Sequence, residues 1–392
     1  MVSLLLAIIY LAFISLGLPD SLLGSAWPVM RLEFGASLSF AGVISMTICA
    51  STIISSLASD YMTHRFGAGR VTAVSVAMTA LALLGFSLSD SLILLCVLAV
   101  PYGLGAGAVD AALNNYVALH FAARHMSWLH CFWGVGASIS PYIMSACLAA
   151  DNNWRGGYLS VSVIQIVLTV CLFAALPLWK KAVPAAEQSA EEETAQPVGV
   201  IGALKIPGVP CILLAFLAYC GLEVTASLWA SSYLVEFRGC DAETAARYAS
   251  LFYLGLTGGR LLNGFLADRF SDRTLIRAGS AIMLSGMVLL MLPFSSSIPA
   301  AAGLLIVGLG CAPIYPCIIH STPANFGAKN SQAIIGIQMA SAYMGSTLVP
   351  PLFGLIADFV SVSWYPVWLA AFTVLQIAMT ERLNAMFKNK TA

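Results

Sequence analysis

The sequence predicts an all-α integral membrane protein with twelve transmembrane helices in two pseudo-symmetric six-helix halves. Three observations lead there. First, 59% of the 392 residues are hydrophobic and 9% are charged, against roughly 25% charged in soluble domains. A chain this apolar cannot cover a water-facing surface, so its solvent is lipid. Second, the apolar residues fall in long continuous runs rather than in alternation. A helix that crosses a bilayer needs about 20 such residues, and lipid obliges each segment to satisfy its own backbone. Third, a pattern occurs twice. Leu57 to Arg70 reads L-A-S-D-Y-M-T-H-R-F-G-A-G-R, and Phe265 to Arg273 reads F-L-A-D-R-F-S-D-R, with Asp60 and Asp268 208 residues apart. Gly136-x4-Pro141 recurs as Gly345-x4-Pro350 after 209 residues, and Gly103-Leu104-Gly105 as Gly308-Leu309-Gly310 after 205. Three landmarks that agree within four residues mark two copies of one unit.

The runs place spans at residues 3–24, 37–58, 70–88, 91–118, 127–149 and 157–179, then at 208–234, 245–266, 275–293, 299–320, 331–356 and 363–384. The first run lacks a basic start and eleven spans follow it, so it reads as a retained helix and not a signal peptide. Gly103, Gly105 and Gly107 on span four, and Gly308 and Gly310 on span ten, allow close helix approach. Pro141, Pro313, Pro316, Pro350 and Pro351 bend their spans. Residues 181–206 include A-A-E-Q-S-A-E-E-E-T-A-Q-P and lack apolar periodicity. They are expected to be a cytoplasmic linker between an N-terminal half, 1–180, and a C-terminal half, 207–392. With the N-terminus inside, cytoplasmic segments hold 13 Lys and Arg, Lys180, Lys181, Lys388 and Lys390 among them, against Arg31, Arg155, Arg238 and Arg247 outside. The positive-inside rule then puts both termini in the cytoplasm.

Function is narrowed by what is missing. The formal net charge is zero, so nothing points to nucleic acid. The ten cysteines are scattered without a C-x-x-C pair and read as small buried hydrophobes, not metal ligands. No H-E-x-x-H, G-x-S-x-G or G-x-x-x-x-G-K motif is present, which argues against a membrane enzyme and against ATP drive. Duplicated halves in an apolar chain point to a carrier, with no cofactor beyond a proton gradient.

Ionisable groups inside lipid are costly and mark function. Asp20 on span one, Asp110 on span four and Glu223 on span seven are the candidate proton-coupling acids, since a carboxyl moved out of water favours its neutral form. Gly17, Asp20, Gly24 and Trp27 are expected to share one helix face, as are Gly103, Ala106, Asp110 and Asn114. Candidate substrate contacts are Asn114, Asn115, His130, Trp133, Glu223, Trp229, Tyr233 and Gln338, amides and aromatic faces of the kind that hold a sugar. Arg260 on span eight, two turns before Asp268, reads as a structural partner for cytoplasmic charges. Asp60, Arg65 and Arg70, with Asp268, Arg269 and Arg273, form a candidate cytoplasmic gate, each acid closing on the arginines of its turn.

The repeated Asp–Arg turn, seen best as Gly264-x-Leu266-x-Asp268-Arg269, resembles the signature of the major facilitator superfamily. The first copy departs from it by Met62 to His64 before Arg65, the second by Ser271 where glycine is usual. G-L-P-D on span one, G-A-G-A-V-D-A-A-L-N-N-Y-V on span four and L-H-C-F-W-G-V-G-A-S-I-S-P on span five resemble the fucose–proton symporter branch. That resemblance implies proton coupling and sugar binding by the acids on helices one and four, here Asp20 and Asp110, the latter standing where glutamate is more usual. The sequence therefore predicts a monomeric, proton-coupled symporter of a small neutral polar solute such as a sugar, in the plasma (inner) membrane and working by alternating access. A proton-driven exporter of amphipathic compounds is the alternative.

Overall fold

A computed structural model describes residues 2–36, 40–151, 153–182, 198–240, 242–293 and 296–388, and the regular elements among them are all helical. In chain order they are α1 (Val2–Gly17), α2 (Leu22–Glu33), α3 (Phe40–Phe66), α4 (Ala68–Ser87), α5 (Leu92–His120), α6 (Ala123–Asp151), α7 (Trp154–Ala174), α8 (Leu176–Ala182) and α9 (Gly199–Leu204). There follow α10 (Val209–Glu236), α11 (Ala242–Leu266), α12 (Asp272–Met291), α13 (Ile298–Cys311), α14 (Ile314–Phe326), α15 (Ala328–Phe359) and α16 (Tyr365–Lys388). Each expected span has its helix, the first, sixth and tenth as broken pairs, α1–α2, α7–α8 and α13–α14. Of the expected linker, residues 183–197 lie outside the described residues, as does Lys390.

Among the described residues, eleven segments are long and apolar enough to cross a membrane. The one expected span not among them is the eighth, α11, which has the length but carries Arg260 and Asn263 in its interior, and these interrupt its apolar run.

The chain forms two compact units. One comprises Met1–Tyr116, Leu129–Ile201 and Ala328–Ala340, the other Val117–Trp128, Gly202–Gly327 and Ser341–Ala392. The same packing device appears inside each. In the first unit a Cβ added to Gly136 of α6 would overlap the carbonyl oxygen of Ile14 on α1, and one added to Gly103 of α5 would overlap that of Ile48 on α3. In the second, Gly345 of α15 stands against the Leu217 carbonyl of α10, and Gly308 of α13 against the Phe252 carbonyl of α11. The glycines that recur in the sequence are therefore the places where equivalent helix pairs touch backbone to backbone.

The break between α1 and α2 has a local cause. Pro19 has no N–H to continue the helix, and Leu18 to Ser21 instead form turns in which Asp20 N donates to Gly17 O and Leu22 N to Pro19 O, both at 3.2 Å. Of the expected common face of Gly17, Asp20, Gly24 and Trp27, the first two meet Trp133 of α6 and Trp27 leaves it. Gly17 packs against α6, no atom lies within 4 Å of a Cβ at Gly24, and Trp27 is buried against Phe40.

Beyond the first span, α2, α7 and the α4–α5 loop are tied by one arginine. Arg155 donates to Glu33 Oε1 at 2.6 Å, Asp90 Oδ1 at 2.7 Å and Ser89 O at 3.0 Å, and its guanidinium lies 4.3 Å from the Trp154 ring. Trp154 Nε1 donates to the other Glu33 oxygen at 2.7 Å.

Candidate functional site

The first unit holds two polar clusters built from the same two helices. Asp20, exposed in the turn between α1 and α2 yet inside the span Ser3–Trp27, accepts a hydrogen bond from Trp133 Nε1 of α6 at 2.9 Å and from Tyr102 OH of α5 at 3.4 Å. Glycines set this geometry, because the atom that meets a Cβ at Gly17 belongs to Trp133 itself. The second cluster is buried. Asn114 Nδ2 donates to Asp110 Oδ1 at 2.8 Å and to Asp110 O at 3.0 Å, and Asn114 Oδ1 meets His130 Nε2 at 3.1 Å. His130 also packs edge-on against Phe13 of α1. Tyr102 and Asp110 are eight residues apart on α5, about 12 Å along the axis. Trp133 and His130 are one turn apart on α6. Behind Tyr102, Ser15, Thr79 and Gln165 line a cavity of about 10 Å³, room for about one water.

The second unit carries the third acid. Glu223 of α10 accepts from Tyr219 OH of the preceding turn and from Arg260 Nη2 of α11 at 3.3 Å. Arg260 is 4% exposed, so it is a guanidinium held inside the bundle. Tyr219 OH also lies 3.0 Å from Cys311 O.

The other expected substrate contacts are not gathered at these acids. Trp229 Nε1 donates to Pro350 O at 3.1 Å, and Tyr233 is fully buried with its hydroxyl donating to Leu290 O at 2.6 Å. The Asn115 carbonyl oxygen accepts from Ser331 Oγ at 2.6 Å, and Gln338 is fully buried on α15.

The two Asp turns have partners other than those expected. Asp60 accepts from Gly199 N of α9 at 3.4 Å and lies 3.9 Å from His64. Arg65 binds Tyr61 OH at 2.6 Å instead, and Arg70 is exposed. The cause is the insertion Met62 to His64: α3 runs through it to Phe66, so the residue one turn beyond Asp60 is His64 and Arg65 points elsewhere. Asp268 pairs with Arg124 of α6 at 2.9 Å, while Arg269 and Arg273 are exposed. Gly264 of the same turn motif makes room for the Trp128 indole, which a Cβ there would overlap. Asn263 Nδ2 donates to Ser127 Oγ at 2.7 Å beside it.

Sequence reasoning missed Tyr102, Tyr219, Arg124 and Gly199. Tyr219 stands one turn from Glu223, a spacing that was open to reading. Arg124 and Gly199 are 144 and 139 residues from their partners, with no local signal.

The family model described as Major Facilitator Superfamily matches residues 9–259 and, in a second match, 212–387. The chain is 23% identical to the Bypass of stop codon protein 6 of Saccharomyces cerevisiae, over 92% of this chain and 79% of that protein. It is 23% identical to the glucose/mannose transporter GlcP of Bacillus subtilis, over 88% of this chain and 86% of the relative. Among solved structures it is similar to FucP, the E. coli fucose:proton symporter, in the outward conformation. The TM-score is 0.77 at 17% identity, covering 95% of this chain and 98% of that one. Fold and relatives are those of membrane transporters, not enzymes. With both copies of the repeat inside the matched residues, the chain belongs to the Major Facilitator Superfamily.

Proposed function

We propose that this transporter is a proton-coupled symporter of a small neutral polar solute of the sugar class, in which Asp20 takes up the proton. The observation that supports this most is the setting of Asp20, an exposed carboxylate within a membrane span whose two oxygens are each held by an aromatic hydrogen-bond donor. A proton on Asp20 would remove the charge-assisted character of both bonds and free the indole of Trp133, whose face and N–H suit a sugar. Asp110, bound through Asn114 to His130, is a second coupling site deeper in the same unit. The glucose/mannose transporter among the relatives supports the solute class. The gate in this reading works through Asp60 and Asp268. Asp268 is held by Arg124, and α15 adds Ser331 on Asn115 and Gln332 on Ser59. Arg65, Arg70, Arg269 and Arg273 supply positive charge around these contacts. The carrier works as a monomer by alternating access in the plasma (inner) membrane, with both termini cytoplasmic and the proton gradient as its drive.

One observation favours a second reading. Arg260 is a buried cation facing Glu223, at 3.3 and 3.5 Å from its two oxygens, and a solute bearing a carboxylate would compete for it.

The test is uptake of radiolabelled hexoses and of gluconate into proteoliposomes, with and without an inward proton gradient, by wild type, Asp20→Asn and Asp110→Asn. Gradient-driven hexose accumulation that Asp20→Asn abolishes, while exchange at equilibrium persists, supports the first reading. Gluconate uptake without hexose uptake moves the solute class to the second. Gradient-independent uptake unchanged in both variants removes proton coupling.

A further inference from the structure

At the start of α10 and the end of α16, the second unit has a cavity of about 300 Å³, within the range of small-ligand sites. Its walls are apolar, from Leu204, Ile206, Leu214, Met379 and Met386, and two cations, Lys205 and Arg382, line it with them. Leu204, Leu214 and Met386 are 40% exposed or more, so the groove opens outward along the helices. Its position is set by the spans. Lys205 lies four residues before the span that begins at Val209, and Arg382 lies in the last turns of the span that ends at Phe387. The groove thus sits where hydrocarbon gives way to headgroups.

No described acid answers the two cations. The nearest along the chain, Glu381, is taken by Arg277, whose guanidinium binds both its carboxylate oxygens at 2.6 Å. Neither Lys205 nor Arg382 has an ion pair or side-chain hydrogen bond among the described residues. A flexible apolar chain below two cations at the headgroup level fits one kind of molecule. We propose that this groove binds an anionic phospholipid, with the headgroup phosphate on Lys205 and Arg382 and an acyl chain along Leu214 and Met379. Basic pockets between membrane helices take such headgroups, and each cation near an anionic membrane surface contributes measurably. The site is independent of the solute and of the acids that couple it.

The experiment uses the full chain in a neutral detergent, with native mass spectrometry and thermal unfolding read in parallel. Phosphatidylglycerol, phosphatidylcholine and inorganic phosphate are added separately. Phosphatidylglycerol should bind and raise the unfolding temperature where phosphatidylcholine does not. Lys205→Gln/Arg382→Gln should weaken phosphatidylglycerol binding about thirtyfold, and Lys205→Arg/Arg382→Lys should retain it. Met379→Trp, which fills the groove and keeps both charges, should also lose the lipid. Equal binding of the two lipids, or binding unchanged in the glutamine variant, overturns the proposal. So does an equal shift with inorganic phosphate alone, which would make this a free-anion site. If phosphatidylglycerol binds only a variant with Glu187, Glu191, Glu192 and Glu193 changed to Gln, and not wild type, the occupant is the acidic linker and the proposal is wrong.

Discussion

Replacing Gly17 with Ala tests whether the close contact of α1 with α6 positions Asp20, the proposed coupling acid. The three atoms nearest an added Cβ are all backbone: the Trp133 carbonyl oxygen, which it would overlap, the Ala137 nitrogen at 2.9 Å and the Trp133 carbonyl carbon at 3.0 Å. No side chain is available to swing away, so the two helices must separate. Overpacking of this kind costs about 1–3 kcal/mol. The displaced residue is the one whose indole binds Asp20 at 2.9 Å, and a shift of about half an ångström takes that bond outside good geometry. A hydrogen bond to a charged group is worth roughly 1.5–3 kcal/mol, though its loss at an exposed acid is partly made good by water. The expected total is a destabilisation of about 2–4 kcal/mol. Gly24→Ala is the control: no atom lies within 4 Å of its Cβ, and alanine gains up to about 1 kcal/mol of helix propensity. Thermal unfolding in detergent gives the stabilities, and quenching of tryptophan fluorescence by pH jump reports the Asp20–Trp133 contact. If Gly17→Ala unfolds at the temperature of Gly24→Ala and keeps the wild-type fluorescence response, glycine contact does not set this site.

Removing Arg260 by Arg260→Met leaves Glu223 without its cation in the bundle, and breaking one partner of a buried pair costs about 3–5 kcal/mol. Arg260→Met/Glu223→Gln should regain most of that in thermal unfolding, and a double variant no better than the single one would argue against the pair. The Asp268–Arg124 bridge joins side chains 42% and 43% exposed, so Asp268→Asn should cost no more than about 1 kcal/mol while changing the transport rate several-fold. An unchanged rate with a large loss of stability would make it a structural bridge and not a gate. At Glu33 burial pushes the carboxyl up, but the hydrogen bonds from Trp154 and Arg155 outweigh it and hold it below the usual 4.5. A depressed carboxyl stabilises the fold above 4.5 and loses that contribution as pH falls further through the folded value. Glu33 is 42% exposed, so the contribution is below about 1 kcal/mol. Glu33→Gln should flatten stability against pH in that acid window and nowhere else.

The spans and the duplication were legible because both rest on local signals. An apolar run declares a membrane helix whatever surrounds it, and the paired glycines Gly136 and Gly345 mark backbone contacts that tolerate no other residue. The broken first span was less legible. A face drawn through Gly17, Asp20, Gly24 and Trp27 assumes one uninterrupted helix, and Pro19 interrupts it. Periodicity is a property of a continuous helix, so one residue without an N–H is enough to take Trp27 off the face that Gly17 and Asp20 present to Trp133. The Met62 to His64 insertion misled in the opposite way. The Asp–Arg spacing reads as a turn, but the helix continues to Phe66, and one residue of offset turns Arg65 away from Asp60.

Polar partners separate into two classes by sequence distance. Asp110 with Asn114, and Glu223 with Tyr219, are pairs one helical turn apart, and the pattern contains them. Arg260 of α11 and Glu223 of α10 are 37 residues apart, so their meeting depends on helix packing that the repeats imply only in outline. Composition nevertheless pointed to Arg260. It helps leave α11 the one expected span short of the apolarity the other eleven have, and a helix keeps such a residue in lipid only where a partner waits for it. Reading Arg260 as a structural partner of charges at the membrane face followed from its two-turn distance to Asp268. The bundle instead turns it inward to Glu223, because an ammonium or guanidinium inside the bilayer is best stabilised by a facing carboxylate. A buried cation therefore locates a buried acid, and the helix of weakest hydropathy is the first place to search for a site in a chain of this class.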